Sequence, residues 1–212
     1  QGCTVTTLDG QTCIDFLGEY TAGLYGHTPE VLRRAVLQAL DGGWVMGGHT
    51  VTEADLAEAI CTRFPSIERV RFANSGTEAN LYAIAAARAI TGRPKVMVFE
   101  GAYHGGVFMF GATKSPLEAP FDYLKAPYND LAAARALLDA HAGQVGAVIV
   151  EPMQGSSGCI PGEPAFLHGL REACGAHGAL LIFDEVMTSR LGAGGLQGTL
   201  GLRPDLTTLG KY

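Results

Sequence analysis

Four short apolar runs each end abruptly in a polar cluster. Val70 to Ala73 leads into Asn74-Ser75-Gly76-Thr77-Glu78, and Ala147 to Val150 into Glu151-Pro152. Ala179 to Phe183 leads into Asp184-Glu185, and Leu206 to Leu209 into Gly210-Lys211. If the runs are parallel strands joined by helical crossovers, all four clusters leave the same edge of one sheet. That edge is where open α/β sheets hold ligands.

Ser75 can cap a helix starting near Gly76, with Glu78 three residues on completing a capping box. Gly76 removes the side chain that would keep a ligand from the backbone amides. Free N–H groups, the helix dipole and the Ser75 and Thr77 hydroxyls suit a phosphate dianion. An ordinary helix cap is the plainer alternative. Asp184 ends a run, ALLIF, expected to be buried on both faces, so its carboxylate needs a cationic partner. Opposite charges about 4 Å apart at an effective dielectric near 20 attract by roughly 4 kcal/mol, or about three pKa units. That suffices to keep a pyridine nitrogen protonated. A strand-end carboxylate paired with an arginine is one rival, and a magnesium site of a nucleotide-triphosphate protein is another.

The second rival requires a G-x-x-x-x-G-K-[ST] loop, and Lys114-Ser115 is preceded by Thr113. The GxGxxG fingerprint also fails, since Gly192 and Gly194 are followed by Gln197. Of the lysines Lys95, Lys114, Lys125 and Lys211, the last alone follows an apolar run at the polar edge. Near a cationic ring and away from water its pKa would fall, making it a nucleophile toward an aldehyde. A lone lysine is otherwise most often a solvated one. Tyr103 could stack on a ring and Val186 could pack on the opposite face, with core packing as the alternative for the tyrosine. His104 receives no catalytic assignment. A phosphate cup, a carboxylate and a lysine together match what pyridoxal phosphate requires of a protein.

The 212 residues, 47% apolar and 17% charged, can build one sizeable core or a core with an appendage. Net charge −6 without a basic stripe argues against a nucleic-acid partner. Five scattered cysteines without a C-x-x-C pair argue against a disulfide scaffold and a zinc site, so no metal is expected and reduced thiols in the cytoplasm are. No apolar stretch approaches the roughly 20 residues of a membrane span and no signal peptide is evident. The absence of an initiator methionine, and an end one residue past Lys211, predict a piece of a longer protein.

Asp9-Gly10 predicts a hairpin of Cys3 to Leu8 with Gln11 to Phe16. Helices are expected from Pro29 to Leu40, Glu53 to Arg63, Thr77 to Ile90, Asp130 to His141 and Glu163 to Ala176, with a further strand at Val96 to Phe99. From Val70 on, strands and helices alternate, which is the mark of a βαβ-built sheet. Residues 1–50 therefore read as an N-terminal segment of hairpin, helix and glycine-rich link, and 51–212 as a cofactor-binding large domain, incomplete at its C-terminus.

The strings NSGTEAN (Asn74 to Asn80), YHG (Tyr103 to Gly105), EPMQG (Glu151 to Gly155), FDEVMTSR (Phe183 to Arg190) and DLTTLGKY (Asp205 to Tyr212) resemble the class III aminotransferases, fold-type-I pyridoxal-phosphate enzymes. The resemblance spans essentially the whole chain. It implies an α/β fold with a mostly parallel sheet flanked by helices. It implies that Ser75, Gly76 and Thr77 hold the phosphate, Tyr103 stacks on the ring, Asp184 meets the ring nitrogen, Val186 packs beneath it, and Lys211 binds the cofactor covalently. It implies amino-acid and 2-oxo-acid substrates and a homodimer. Within the family, GHT, PYND, EPMQGSSGCIPG and DEVMTSRL look most like transaminases acting on β-phenylalanine. Glutamate-1-semialdehyde 2,1-aminomutases share DEVMT and DLTTLGK but carry a longer loop after YHG than Gly105 to Pro127 offers. A non-catalytic protein on the same fold is the remaining alternative.

Overall fold

Strands buried on both faces are runs of apolar residues in which alternate side chains serve opposite layers, and this pattern sets the architecture of the larger part of the chain. The computed structural model describes residues 2–211. It divides into two compact units, one formed by residues up to 58 together with Lys211 and the other by 59–210.

In the first unit, β1 (Thr4–Thr6) and β2 (Thr12–Ile14) pair antiparallel with Thr6 opposite Thr12. The predicted two-residue turn is in fact a five-residue connection. Gln11 N–H donates to Thr7 Oγ1 (3.1 Å) and Thr7 N–H to the Gln11 carbonyl (2.9 Å), so a threonine-centred turn closes the loop before Asp9-Gly10 can set the register. Helix α1 (Glu30–Asp41) follows Pro29, whose φ of −68° is already suited to the helix entry. Helix α2 (Val51–Arg63) continues into the second unit.

There, α3 (Gly76–Thr91), β3 (Lys95–Phe99), β4 (Asp122–Ala126), α4 (Leu131–Ala140) and β5 (Val145–Val150) follow in order. A short ribbon of β6 (Met153–Gln154) and β7 (Ile160–Pro161) leads to α5 (Pro164–His177), β8 (Leu180–Asp184), α6 (Gly195–Leu200) and β9 (Leu206–Thr208). The sheet has the order β4-β3-β5-β8-β9 and every pair in it is parallel. Met97, Phe99, Val148, Val150, Leu181 and Phe183 pack with Leu138 of α4 and Phe166, Leu167 and Leu170 of α5. Val96, Val98, Ala147, Ile149 and Ile182 pack on the other side with Ala83, Ile84 and Ala87 of α3. The result is helix, sheet, helix, as the βαβ alternation predicts.

Two expectations are corrected, and β4, β6, β7 and α6 are new elements. Val70 to Ala73 is not a strand; it has no ladder partner among the described residues, and a four-residue apolar run does not itself specify one. The Asn74 to Glu78 cluster is therefore brought to the strand ends by α3 rather than by a strand of its own. β4 escaped notice because Asp122 and Lys125 interrupt it, as befits an edge strand. α6 escaped because GLQGTL has little helix propensity. β5 also carries a close approach: a Cβ on Gly146 would lie 2.6 Å from Thr91 Oγ1 and 2.8 Å from the Arg93 carbonyl oxygen. Gly146→Ala should lower stability by about 1–3 kcal/mol through overpacking, read as a reduced melting temperature of the intact protein; an unchanged melting temperature would contradict the tight fit.

Candidate active site

Ser75 has extended backbone (φ −157°), and its Oγ accepts the Glu78 N–H at 3.1 Å. The return half of the capping box is displaced by one residue. Glu78 Oε2 accepts the Asn74 N–H (2.7 Å) and the Asn74 side-chain amide (2.9 Å), and these donors, the backbone one foremost, hold its carboxyl below the ordinary range. The Gly76 and Thr77 N–H groups, at the first two helical positions, have no acceptor among the described residues, as helix geometry demands. They are the donors that a phosphate can take. Thr77 Oγ1 accepts from Gly106 N–H (3.2 Å), which leaves its hydroxyl proton for a ligand.

The Tyr103-His104-Gly105 turn seats directly on this helix end. Gly105 has φ +123°, and a Cβ there would fall 2.2 Å from Thr77 Oγ1, so only glycine permits the approach. Tyr103 N–H donates to Glu151 Oε2 (3.0 Å), while Gly155 N–H donates to Glu151 Oε1 (3.2 Å). One carboxylate thus joins the YHG turn to the EPMQG loop. Burial pushes the Glu151 carboxyl above its ordinary range, opposed by His104 and by the Tyr103 N–H. The Tyr103 ring itself is partly exposed.

Asp184, at the C-terminal end of β8, is 5% exposed. Its Oδ2 accepts from Asn80 Nδ2 and His104 Nδ1, both at 2.8 Å, and its Oδ1 from Val186 N–H at 3.1 Å. Val186 in turn lies against the helix end, since a Cβ on Gly76 would meet its Cγ2 at 3.3 Å, and a Cβ on Gly210 would meet its Cγ1 at 3.3 Å. Ser75, Gly76, Thr77, Tyr103, Asp184 and Val186 are thus linked through α3, the YHG turn and the end of β8. Lys211 belongs to the first unit, where its Nζ donates to the Tyr20 carbonyl (2.6 Å). Tyr212, the last residue of the DLTTLGKY string, lies outside the described residues.

Glu185, beside Asp184, serves the fold instead. Its oxygens accept the Leu196 and Gln197 N–H groups (2.8 and 2.9 Å) and the Thr188 hydroxyl (2.9 Å), capping α6. Asp15, Glu19 and His27 of the first unit hold their ligand atoms within 4.8 Å of one another. Of these, Asp15 is already engaged by His27 Nε2 and by the Leu17 and Gly18 N–H groups.

A buried carboxylate able to take a ring N–H, and a helix end whose first two N–H groups have no acceptor among the described residues, fit a planar phosphorylated heterocycle. The family description Aminotransferase class-III matches residues 1–212. The chain belongs to the class III aminotransferases. The β-phenylalanine transaminase of Variovorax paradoxus is 56% identical over 212 residues, which cover all of this chain and 49% of that protein. A crystal structure of a β-phenylalanine aminotransferase from the same organism superposes with a TM-score of 0.97, covering 100% of this chain and 49% of that one. A glutamate-1-semialdehyde 2,1-aminomutase of Symbiobacterium thermophilum is 43% identical over 226 residues, covering all of this chain and 52% of its own. A solved transaminase with PLP bound is 35% identical with a TM-score of 0.90, covering 100% of this chain and 53% of that one. The chain therefore spans about half the length of the curated relatives it matches.

In this class III aminotransferase, sequence reasoning missed Asn80, assigned nothing to His104 and gave Glu151 no role. Asn80 was visible as a polar residue one turn after Gly76 on the helix face that continues to Ile84, a position where a buried amide must find partners. Glu151 also generates a pH dependence. Its folded carboxyl titrates above the usual 4.5, so its contribution favours folding most at low pH and is lost as pH rises through the folded value. Glu151→Gln cannot ionise. The stability of the parent protein relative to this variant should therefore fall as pH is raised from 4.5, by up to about 1.4 kcal/mol per pH unit. Paired melting curves across pH measure this, and a constant difference would refute it.

Proposed function

We propose that the protein carrying this chain is a pyridoxal-phosphate-dependent transaminase that moves an amino group from a β-amino acid such as β-phenylalanine to a 2-oxo acid. The observation that carries the reading is the 56% identity to a β-phenylalanine transaminase along the whole chain, in a molecule whose helix α3 and Asp184 offer the donors and the charge that the cofactor requires. The transaminase with PLP bound supports the same cofactor here. Ser75, Gly76 and Thr77 are assigned its phosphate, Tyr103 and Val186 the two faces of its ring, Asp184 the ring nitrogen, and Lys211 its aldehyde. Residues 51–212 are assigned to the cofactor-binding domain.

When bound, pyridoxal phosphate supplies an aldehyde that takes up the amino group and a ring that accepts the electron pair released at the substrate carbon. Asp184 would keep the ring nitrogen protonated by opposing its positive charge in a water-poor setting. Lys211 would move the proton at the substrate carbon, first as a general base and then as a general acid. A homodimer and a cytoplasmic location complete the proposal, the latter supported by five free cysteines. No helix among the described residues is long and apolar enough to cross a membrane.

The aminomutase reading has a specific relative behind it, at the lower identity of 43%. Offering the intact protein β-phenylalanine with 2-oxoglutarate or pyruvate, and separately glutamate semialdehyde, decides between them. Amino transfer from β-phenylalanine is expected, and isomerisation of the semialdehyde alone would replace the proposal. Lys211→Ala should prevent borohydride from fixing the cofactor to the protein and should abolish transfer. Retained fixation would remove the assigned role of the lysine.

A further inference from the structure

The amide of Asn80 has an orientation fixed by chemistry. The side-chain atom facing Asp184 Oδ2 (2.8 Å) also faces the His104 carbonyl oxygen (3.0 Å), which can only accept, so that atom is the NH2 group. The amide oxygen on the other side accepts the Thr208 hydroxyl at 2.8 Å. Asn80, His104, Asp184 and Thr208 are all buried, and three segments meet at this side chain: the YHG turn, the end of β8 and the end of β9.

The same bonds decide which oxygen of Asp184 remains usable. A carboxylate oxygen has two lone-pair sites. Those of Oδ2 are taken by Asn80 and His104, whereas Oδ1 accepts, among the described residues, only the Val186 N–H. We infer that Asn80 is a positioning residue, which locks Oδ2 so that Oδ1 is presented to the pyridine N–H of pyridoxal phosphate. Asn80 stands four residues, or about 6 Å of helix rise, beyond Gly76. One rigid helix thereby references both the phosphate donors and the ring-nitrogen acceptor, so the spacing between them is set by α3. This inference rests on the cofactor reading above.

Asn80→Asp keeps the shape but turns an acceptor toward Asp184 and the His104 carbonyl. Two carboxyls so placed must share a proton, which removes the charge that Asp184 offers the ring. Asn80→Ala deletes both donors and frees the carboxylate to rotate. The test uses the intact protein, stripped of cofactor and titrated with pyridoxal phosphate labelled with nitrogen-15 in the ring. Cofactor affinity is read by fluorescence quenching and ring protonation by the nitrogen chemical shift against pH.

Asn80→Asp should weaken binding roughly tenfold to a hundredfold, the range expected for losing a hydrogen bond to a charged group. It should also make the ring nitrogen lose its proton at lower pH. Thr208→Val, which leaves the fold's shape and removes only the hydroxyl that orients the amide, should shift both readouts in the same direction by less, and it carries the test if the Asn80 variants fail to fold. Unchanged ring titration in the folded variants, with only a lower melting temperature of the cofactor-free protein, would reduce Asn80 to a packing residue and overturn the inference. Failure of the unsubstituted protein to bind the cofactor at all would instead refute the underlying reading, before any variant is made.

Discussion

Nearly everything in the second unit answers to one requirement, the holding of a carboxylate at the end of a fully buried strand. A desolvated carboxylate is tolerated only when hydrogen-bonded or paired. Asp184 obtains donors from three separate places: Asn80 on α3, His104 in the turn after β3, and Val186 in its own loop. The first two depend on the parallel sheet that brings the ends of β3 and β8 to one edge, and on α3 lying on the face that Ile182 shares with Asp184. Packing around Phe183 and Ile182 fixes the strand, and the strand fixes the charge.

Val186 transmits that order to the helix end. Its N–H bonds to Asp184 while its methyl groups occupy the space beside Gly76 and Gly210, where an added Cβ would crowd them at 3.3 Å. Arg63 secures the following loop by donating to the carbonyls of Ala193 (2.8 Å) and Ser189 (2.7 Å). With Glu185 capping α6 from within the same loop, residues 184–197 are tied down at both ends. Preorganisation of this kind lets fixed dipoles act on a reacting group without rearrangement.

Much of the fold was legible because βαβ units announce themselves by alternation. β3, β5, β8 and β9 and five helices follow the apolar pattern closely. The failures have local causes. Val70 to Ala73 has a strand's composition without a strand's partner, β4 hides its pattern behind Asp122 and Lys125, and the Thr7 side chain takes over a turn that Asp9-Gly10 advertised. At the site, the residue types of Ser75, Gly76, Thr77 and Asp184 disclosed their possible chemistry, because phosphate and pyridinium recognition demand those groups. Asn80, His104 and Glu151 did not, because their roles depend on bonds between segments up to 128 residues apart, and no spacing in the sequence encodes such distances.

The neighbouring acids Asp184 and Glu185 illustrate how finely the strand end is specified. One oxygen-bearing side chain faces α3 and the ligand edge while the next is consumed by the start of α6. A strand has a two-residue period, so a one-residue deletion within Leu181 to Phe183 would bring Glu185 to the position of Asp184 and Val186 to that of Glu185. The longer glutamate arm would then enter the space fitted to aspartate, and α6 would lose its anchor. The segment is thus constrained by parity, in its length as much as in its apolar character.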